Sequence, residues 1–84
     1  MQKQRIVKVE IQNFGRFVRQ KRVRLNITDE ALAEMCNRSD RNIRDIESGK
    51  REPKLGTALL LCRACEISTG ELEQFVPEEE AAYV

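Results

Sequence analysis

Apolar positions recur at steps of three and four residues between Thr28 and Gly49, interrupted by a polar gap at residues 37–39. In the gap, Asn37 tolerates the left-handed backbone that ends a helix, and Ser39 is a good N-cap for the next one. Two helices of about two turns with a tight corner between them predict a helix-turn-helix. The apolar positions in this stretch are Ala31, Leu32, Met35, Cys36, Ile43 and Ile46.

Similar spacing predicts three more helices around this pair. Helix 1 is expected over residues 14–25 with Asn13 as a possible cap, and helix 4 over residues 55–66. Ser68 and Glu71 have the spacing of a capping box, which predicts a short helix 5. The fold class is therefore all-α with five helices. The expected core face of helix 4 comprises Leu55, Ala58, Leu61, Cys62 and Cys65.

Residues 1–13 fit two patterns. Val7, Val9 and Ile11 alternate with charged residues, which suits a strand with one apolar face. Val7 and Ile11 also continue the helical spacing of Phe14, which would extend helix 1 backwards. The β-branched content favours an extended arm or strand. The expected organisation is an arm at 1–13, a helical domain at 14–76 and an acidic, mobile tail at 77–84.

The net charge of +1 conceals an asymmetry along the chain. All fifteen Lys and Arg lie in residues 1–63 against eight acids, whereas residues 64–84 contain six Glu and no cation. A basic surface of this kind suits a polyanionic partner, although a merely solvated surface is the alternative. No signal-peptide pattern or membrane-length apolar run is present, so a cytoplasmic protein with no membrane partner is expected.

Enzymatic or metal chemistry has little support in the residue pattern. Cys62-x-x-Cys65 falls mid-helix on an apolar face, whereas redox pairs sit at helix starts. Zinc needs four ligands, and the chain has three Cys and no His. Packing cysteines, no cofactor and no metal are therefore expected, and no nucleophile with a base at a telling spacing suggests an enzyme.

A set of residues spread over 14–75 without a gap has a distinctive order: Gly15, Val18, Arg22, Ile27-Thr28, Leu32-Ala33, Ser39, Ile43, Ile46-Glu47, Gly49-Lys50-Arg51, Pro53 and Ser68-x-x-Glu71-Leu72. In this order the chain closely resembles the phage-repressor/Cro (XRE-type) helix-turn-helix family. The resemblance implies a compact, lambda-repressor-like five-helix domain whose third helix enters the major groove of DNA.

The resemblance also implies roles for individual residues. An ion pair between helices 1 and 3 is implied for Arg22 and Glu47, which accounts for a cation at the edge of the core. Base contacts are implied for Asp40, Arg41, Asn42 and Asp45. Phosphate contacts are implied at or beside Thr28, Asp29, Arg44, Lys50, Arg51 and Lys54, with Arg38 either snorkelling or adding another contact.

Two departures from the family pattern bear on DNA binding. Asp29 and Asp40 stand where the family favours Gln, and a carboxylate beside a phosphate is repelled. Aspartate reads a base edge only by accepting from cytosine N4. Arg41 is the best candidate for direct readout of guanine, although it also lies at helical-neighbour spacing from Asp45.

These features lead to two functional hypotheses. The first is a sequence-specific DNA-binding transcriptional regulator, a repressor that binds an operator as a homodimer. The second is a protein-interaction module on the same fold with weak or no DNA binding. Helix 5, the exposed members of Leu59/Leu60 and the N-terminal arm are all possible dimer contacts, and the sequence does not choose among them.

Overall fold

The computed structural model describes residues 2–75, and the side chains from residue 12 onward. Within this range the chain folds into five α-helices. The described residues contain no strand, so the all-α prediction is confirmed. The expected acidic tail at 77–84 lies outside the described residues. The helices are α1 (Gln2–Arg24), α2 (Asp29–Cys36), α3 (Asp40–Glu47), α4 (Leu55–Ala64) and α5 (Thr69–Leu72), followed by a 3₁₀ turn over Glu73–Phe75.

The preferred expectation of an extended arm or strand at residues 1–13 is wrong for residues 2–13, which are the first turns of α1. Asn13 is consequently an interior residue of α1 and not its cap. A strand here would have no partner for its backbone hydrogen bonds, whereas a helix satisfies them within the segment. The segment also contains Gln, Lys, Arg and Glu at most positions and no Gly or Pro, a composition that favours helix.

The helix ends follow the expected capping chemistry. Thr28 accepts from the backbone N–H of Ala31 at 3.0 Å, and Ser39 accepts from that of Asn42 at 3.0 Å. The capping box predicted for α5 is formed in both directions. Left-handed residues end the helices: Asn26 (φ 59°), Asn37 (φ 54°), Glu66 (φ 58°) and Gly49 (φ 83°).

The core lies where α1, α2, α3 and α4 meet. Three residues of the predicted apolar positions are exposed instead: Leu55 is 75 % exposed, Met35 is 55 % exposed, and Ala31 is exposed as well. Leu55 is the first residue of α4, which ends at Ala64, two residues before its expected end. The buried apolar residues are Val18, Leu32, Ala33, Cys36, Ile43, Ile46, Leu61, Cys62, Cys65 and Ile67, with Phe14, Phe17, Ile27, Leu60, Ala64 and Leu72 packed against them.

Gly15 allows α1 to approach the end of α3 closely. A Cβ at this position would overlap the carbonyl oxygen of Ile46, a backbone atom that cannot move aside independently. The contact therefore requires glycine for its size and not for a special backbone angle. It fixes how deeply α3 is seated against α1.

Arg22 and Glu47 form the expected ion pair between α1 and α3. The guanidinium donates from Nε to Oε2 at 2.7 Å and from Nη2 to Oε1 at 3.0 Å, while Nη1 donates to the carbonyl of Ile27 at 2.9 Å. Only 13 % of the Arg22 side chain and 7 % of the Glu47 side chain are exposed. The hydrogen bonds to Glu47 raise the pKa of Arg22 above its ordinary value.

We predict that Glu47→Ala lowers the free energy of unfolding by about 3 kcal/mol, because it leaves a buried guanidinium without its counter-charge. Urea denaturation followed by circular dichroism measures the effect. Glu34→Ala removes an exposed carboxylate from α2 and is the matched control, with an expected change within about 0.5 kcal/mol. Equal effects of the two substitutions would show that the pair contributes nothing specific.

Candidate nucleic-acid interface

The orientation of α3 follows from its two buried residues. Ile43 and Ile46 lie in the core, so the opposite side of this eight-residue helix faces outward. The first turn is preceded by the Ser39 cap, which leaves the start of the helix at the surface. All other residues of α3 are polar or charged, so its outward side is polar along its whole length.

Arg41 is the most prominent of the predicted base-contact residues, with 87 % of its side chain exposed. Its Nε lies 4.0 Å from Oδ2 of Asp45, which is half-buried one turn further on. That separation exceeds hydrogen-bonding distance, so the two charges are neighbours without being bonded. The adjacent Asp40 is exposed.

Asn42 is less available than the sequence suggested. Its side chain is half-buried, and its carbonyl oxygen Oδ1 is fully covered with no hydrogen-bond partner among the described residues. An amide that reads adenine must present its oxygen and nitrogen together. Because Oδ1 is covered, a two-bond contact with adenine would require the Asn42 side chain to turn.

The carboxylate of Asp29, at the start of α2, interacts with two groups of the same chain. Its Oδ1 accepts from the backbone N–H of Glu30 at 2.9 Å, and its Oδ2 lies 3.7 Å from Nη1 of Arg44 on α3. Hydrogen bonding to Glu30 is the main factor that lowers the pKa of Asp29, and the positive charges of Arg22 and Arg44 lower it further. The carboxylate is therefore ionised and adjacent to a cation expected to contact DNA.

A cleft of about 240 Å³ separates α1 from the start of α2 and from α3. Arg19 and Arg44 both line this cleft. No role was predicted for Arg19 from the sequence. The only sequence signal for Arg19 was its outward position on a strongly basic helix. The cleft is lined by Arg19, Arg22, Asp29, Arg44, Glu47 and Ser48.

The loop between α3 and α4 contains the other predicted phosphate-contact residues. Lys50, Arg51 and Lys54 are all exposed. The backbone N–H groups of Lys50 and Arg51 donate to the carbonyl of Asp45 at 2.8 and 3.1 Å. These bonds hold the start of the loop against the end of α3, so its cations keep a fixed relation to the helix.

Arg38 has a different environment from the other cations. Its Nε donates to the Thr57 hydroxyl at 3.0 Å, and its Nη1 donates to the carbonyls of Cys36 and Asn37 at 3.2 and 3.0 Å. The side chain is half-buried and connects the corner before α3 to the first turn of α4. Two of the three guanidinium nitrogens, Nε and Nη1, therefore make hydrogen bonds within the chain.

The three cysteines are buried thiols. Burial raises the pKa of Cys36 and Cys62, and it raises the pKa of Cys65 to about 11. A raised pKa disfavours the reactive thiolate, so the environment is the reverse of a redox site.

No group of three or more potential metal-ligating side chains is assembled among residues 12–75, whose side chains the structure describes. None of the described helices combines the length and the apolar character needed to cross a membrane.

Comparison with known proteins agrees with the geometry of α2 and α3. A family model described as helix-turn-helix matches residues 18–72, from the middle of α1 to the end of α5. Neither the curated proteins nor the solved structures gave a significant match. The matched region spans most of the chain and every element that builds the outward side of α3. The chain belongs to the XRE-type helix-turn-helix family of DNA-binding transcription regulators.

Proposed function

We propose that this protein is a sequence-specific transcriptional repressor that binds operator DNA as a homodimer, with α3 in the major groove. The proposal rests on the way α3 packs against the rest of the domain. Its inner side is fixed by Ile43, Ile46 and the ion pair of Glu47, while its first turn is exposed with Arg41 extended from it. The proposed functional unit is residues 14–76, and the acidic tail at 77–84 is proposed to take no part in binding phosphates.

Arg41 is proposed as the main base-reading residue. A guanidinium that takes guanine O6 and N7 together gains about 1–3 kcal/mol of discrimination. The competing interaction with Asp45 is an exposed helical-neighbour pair, of a kind that contributes about 0.3–0.5 kcal/mol. We therefore expect Arg41 to bind guanine in preference to Asp45 when DNA is present. Asp40, Asn42 and Asp45 are proposed as secondary base contacts.

Phosphate contacts are proposed for the cations that surround α3. The exposed Lys50, Arg51 and Lys54 lie in the loop after it, and Arg44 lies on the helix itself. Thr28 and Asp29 adjoin this set at the start of α2. Arg38 is proposed to contact a phosphate only through Nη2, because its Nε and Nη1 donate to Thr57 and to two backbone carbonyls.

One observation favours the second candidate function, a protein-interaction module. Both arginines on the outward side of α3 have a carboxylate nearby in the same chain: Asp45 beside Arg41, and Asp29 beside Arg44. These acids reduce the attraction of the surface for phosphates. A basic protein partner would instead find acidic groups such as Asp40 exposed at the start of the helix.

In vitro selection of random duplexes by the purified protein tests the proposed function directly. We expect enrichment of a two-fold symmetric motif, because each protomer presents one α3. Arg41→Ala is expected to lose a guanine preference at one position of each half-site, since it removes the two-bond donor. A folded protein that enriches no sequence at physiological salt would overturn this function in favour of the interaction module.

The salt dependence of DNA binding tests the phosphate contacts. We expect Lys50→Ala to reduce the slope of log K against log salt by about one, because one fewer counterion is released. Fluorescence anisotropy with a labelled duplex across a salt series gives the slope. Arg16→Ala removes an exposed cation of α1 that is not proposed to contact DNA, so its slope should equal that of the unmodified protein.

Asp29 is predicted to restrain DNA binding by holding Arg44. Asp29→Asn keeps an oxygen to accept from Glu30 but removes the charge beside Arg44. We expect non-specific duplexes to bind about two- to fivefold more tightly, the size of an exposed ion pair, with a steeper salt slope. The same anisotropy titration measures both quantities.

Glu30→Gln is the matched control for Asp29→Asn. It also neutralises an exposed acid in the first turn of α2, but no arginine lies within ion-pair distance of Glu30 among the described residues. We expect a smaller gain for this variant. Equal gains for both would show that net charge, and not the release of Arg44, controls the affinity.

A further inference from the structure

Residues 2–11, the first turns of α1, are rich in cations. They contain Lys3, Arg5 and Lys8 against a single acid, Glu10. Because the whole segment is helical, each residue has a fixed direction around the helix axis, about 100° from the residue before it. The register of α1 therefore decides which of these cations share a side with α3 and the loop after it.

The side of α1 that adjoins α3 continues onto that loop. At Gly15 the helix touches the backbone carbonyl of Ile46, near the end of α3. Three residues earlier, Gln12 lies against Gly49, since a Cβ placed on Gly49 would be 3.3 Å from the Cα of Gln12. Gly49 directly precedes Lys50, the first cation of the loop. This side of α1 thus passes from the end of α3 to the proposed phosphate-contact loop.

Two of the cations in residues 2–11 occupy the next positions on this side. Residues three, four or seven apart share one side of a helix. Lys8 is four residues before Gln12, and Arg5 is seven residues before it, so they stand about 6 and 10 Å further along the axis. Arg19 is seven residues after Gln12 on the same side. We call these four residues (Arg5, Lys8, Gln12 and Arg19) the basic face of α1.

Arg19 shows that this face has charge available for a partner. Its side chain is exposed and lines the cleft that it shares with Arg44. Among residues 12–75, no carboxylate lies within ion-pair distance of Arg19, whereas Arg44 has Asp29 beside it. Arg16 is not part of the face, because it lines a separate cleft on the other side of α1.

We propose that the basic face of α1 is a further contact with the DNA backbone, which extends the phosphate-binding surface from the loop after α3 along the first turns of α1. Lys8 and Arg5 bind phosphates beyond those that the loop reaches, and Arg19 binds one beside Arg44. Duplex DNA carries one negative charge per about 1.7 Å of its axis, so it offers a row of phosphates to a row of cations. The inference rests on the proposed function and adds a second surface for the same partner.

The salt dependence of binding to a random-sequence duplex tests the face. The double variant Arg5→Gln/Lys8→Gln is expected to reduce the slope of log K against log salt by about two, since each phosphate contact releases about one counterion. Gln has nearly the same helix propensity as Lys and Arg, so circular dichroism should show unchanged helix content. A slope reduction smaller than one would overturn the proposal and leave the face to an acidic protein partner.

Lys3→Gln is the matched control within the same segment. Lys3 and Arg5 are two residues apart, which places them on opposite sides of the helix. We expect Lys3→Gln to leave the salt slope unchanged, whereas Lys8→Gln alone should reduce it by about one. Equal reductions by these two single variants would show that the total charge of the segment attracts DNA, and would overturn the basic face as a defined contact.

Selection from random duplexes separates this inference from the proposed function. Contacts with phosphates carry no base information, so Arg5→Gln/Lys8→Gln should enrich the same motif as the unmodified protein. A changed motif would contradict a contact with the backbone alone. If the unmodified protein enriches a motif while the double variant keeps the full salt slope, only the basic face is wrong. If the unmodified protein binds no duplex, the proposed function fails and this surface fails with it.

Discussion

The two-bond ion pair between Arg22 and Glu47 is the interaction on which the interface depends. It closes the end of α3 against α1, and the third donor of Arg22 binds the carbonyl of Ile27 just before α2. One side chain thus joins α1, α3 and the loop before α2. Gly15 sets the depth of contact between α1 and α3, and a helix that is proposed to read bases needs such a fixed position.

The corner between α2 and α3 is held by α4, whereas the end of α3 is held by α1. Asn37 turns the chain in a left-handed conformation, and Ser39 starts α3. Arg38 then connects this corner to α4 through Thr57, which is itself buried. Each end of α3 is therefore tied to a different neighbouring helix. Two of the three guanidinium nitrogens of Arg38 thus support this corner.

The charge pattern around α3 favours discrimination over general attraction. Arg41 and Arg44 each lie near a carboxylate, at 4.0 and 3.7 Å, distances too long for a hydrogen bond. Such pairs are easily exchanged for a better partner, and we predict that they lower the affinity for an arbitrary duplex. Specificity is a difference between affinities, and acids that penalise weak sites increase it. The same acids would suit a protein partner, which is why selection on random duplexes is decisive.

The sequence by itself determined the elements whose causes are local. Caps, left-handed Asn residues and apolar spacing predicted α2, α3 and the capping box of α5, because each depends on neighbours within about four residues. The tertiary structure alone decided the features that depend on contacts between distant segments of the chain. It exposed Leu55, covered the oxygen of Asn42 and turned Arg38 onto Thr57. Those outcomes depend on packing between distant segments, which no local pattern encodes.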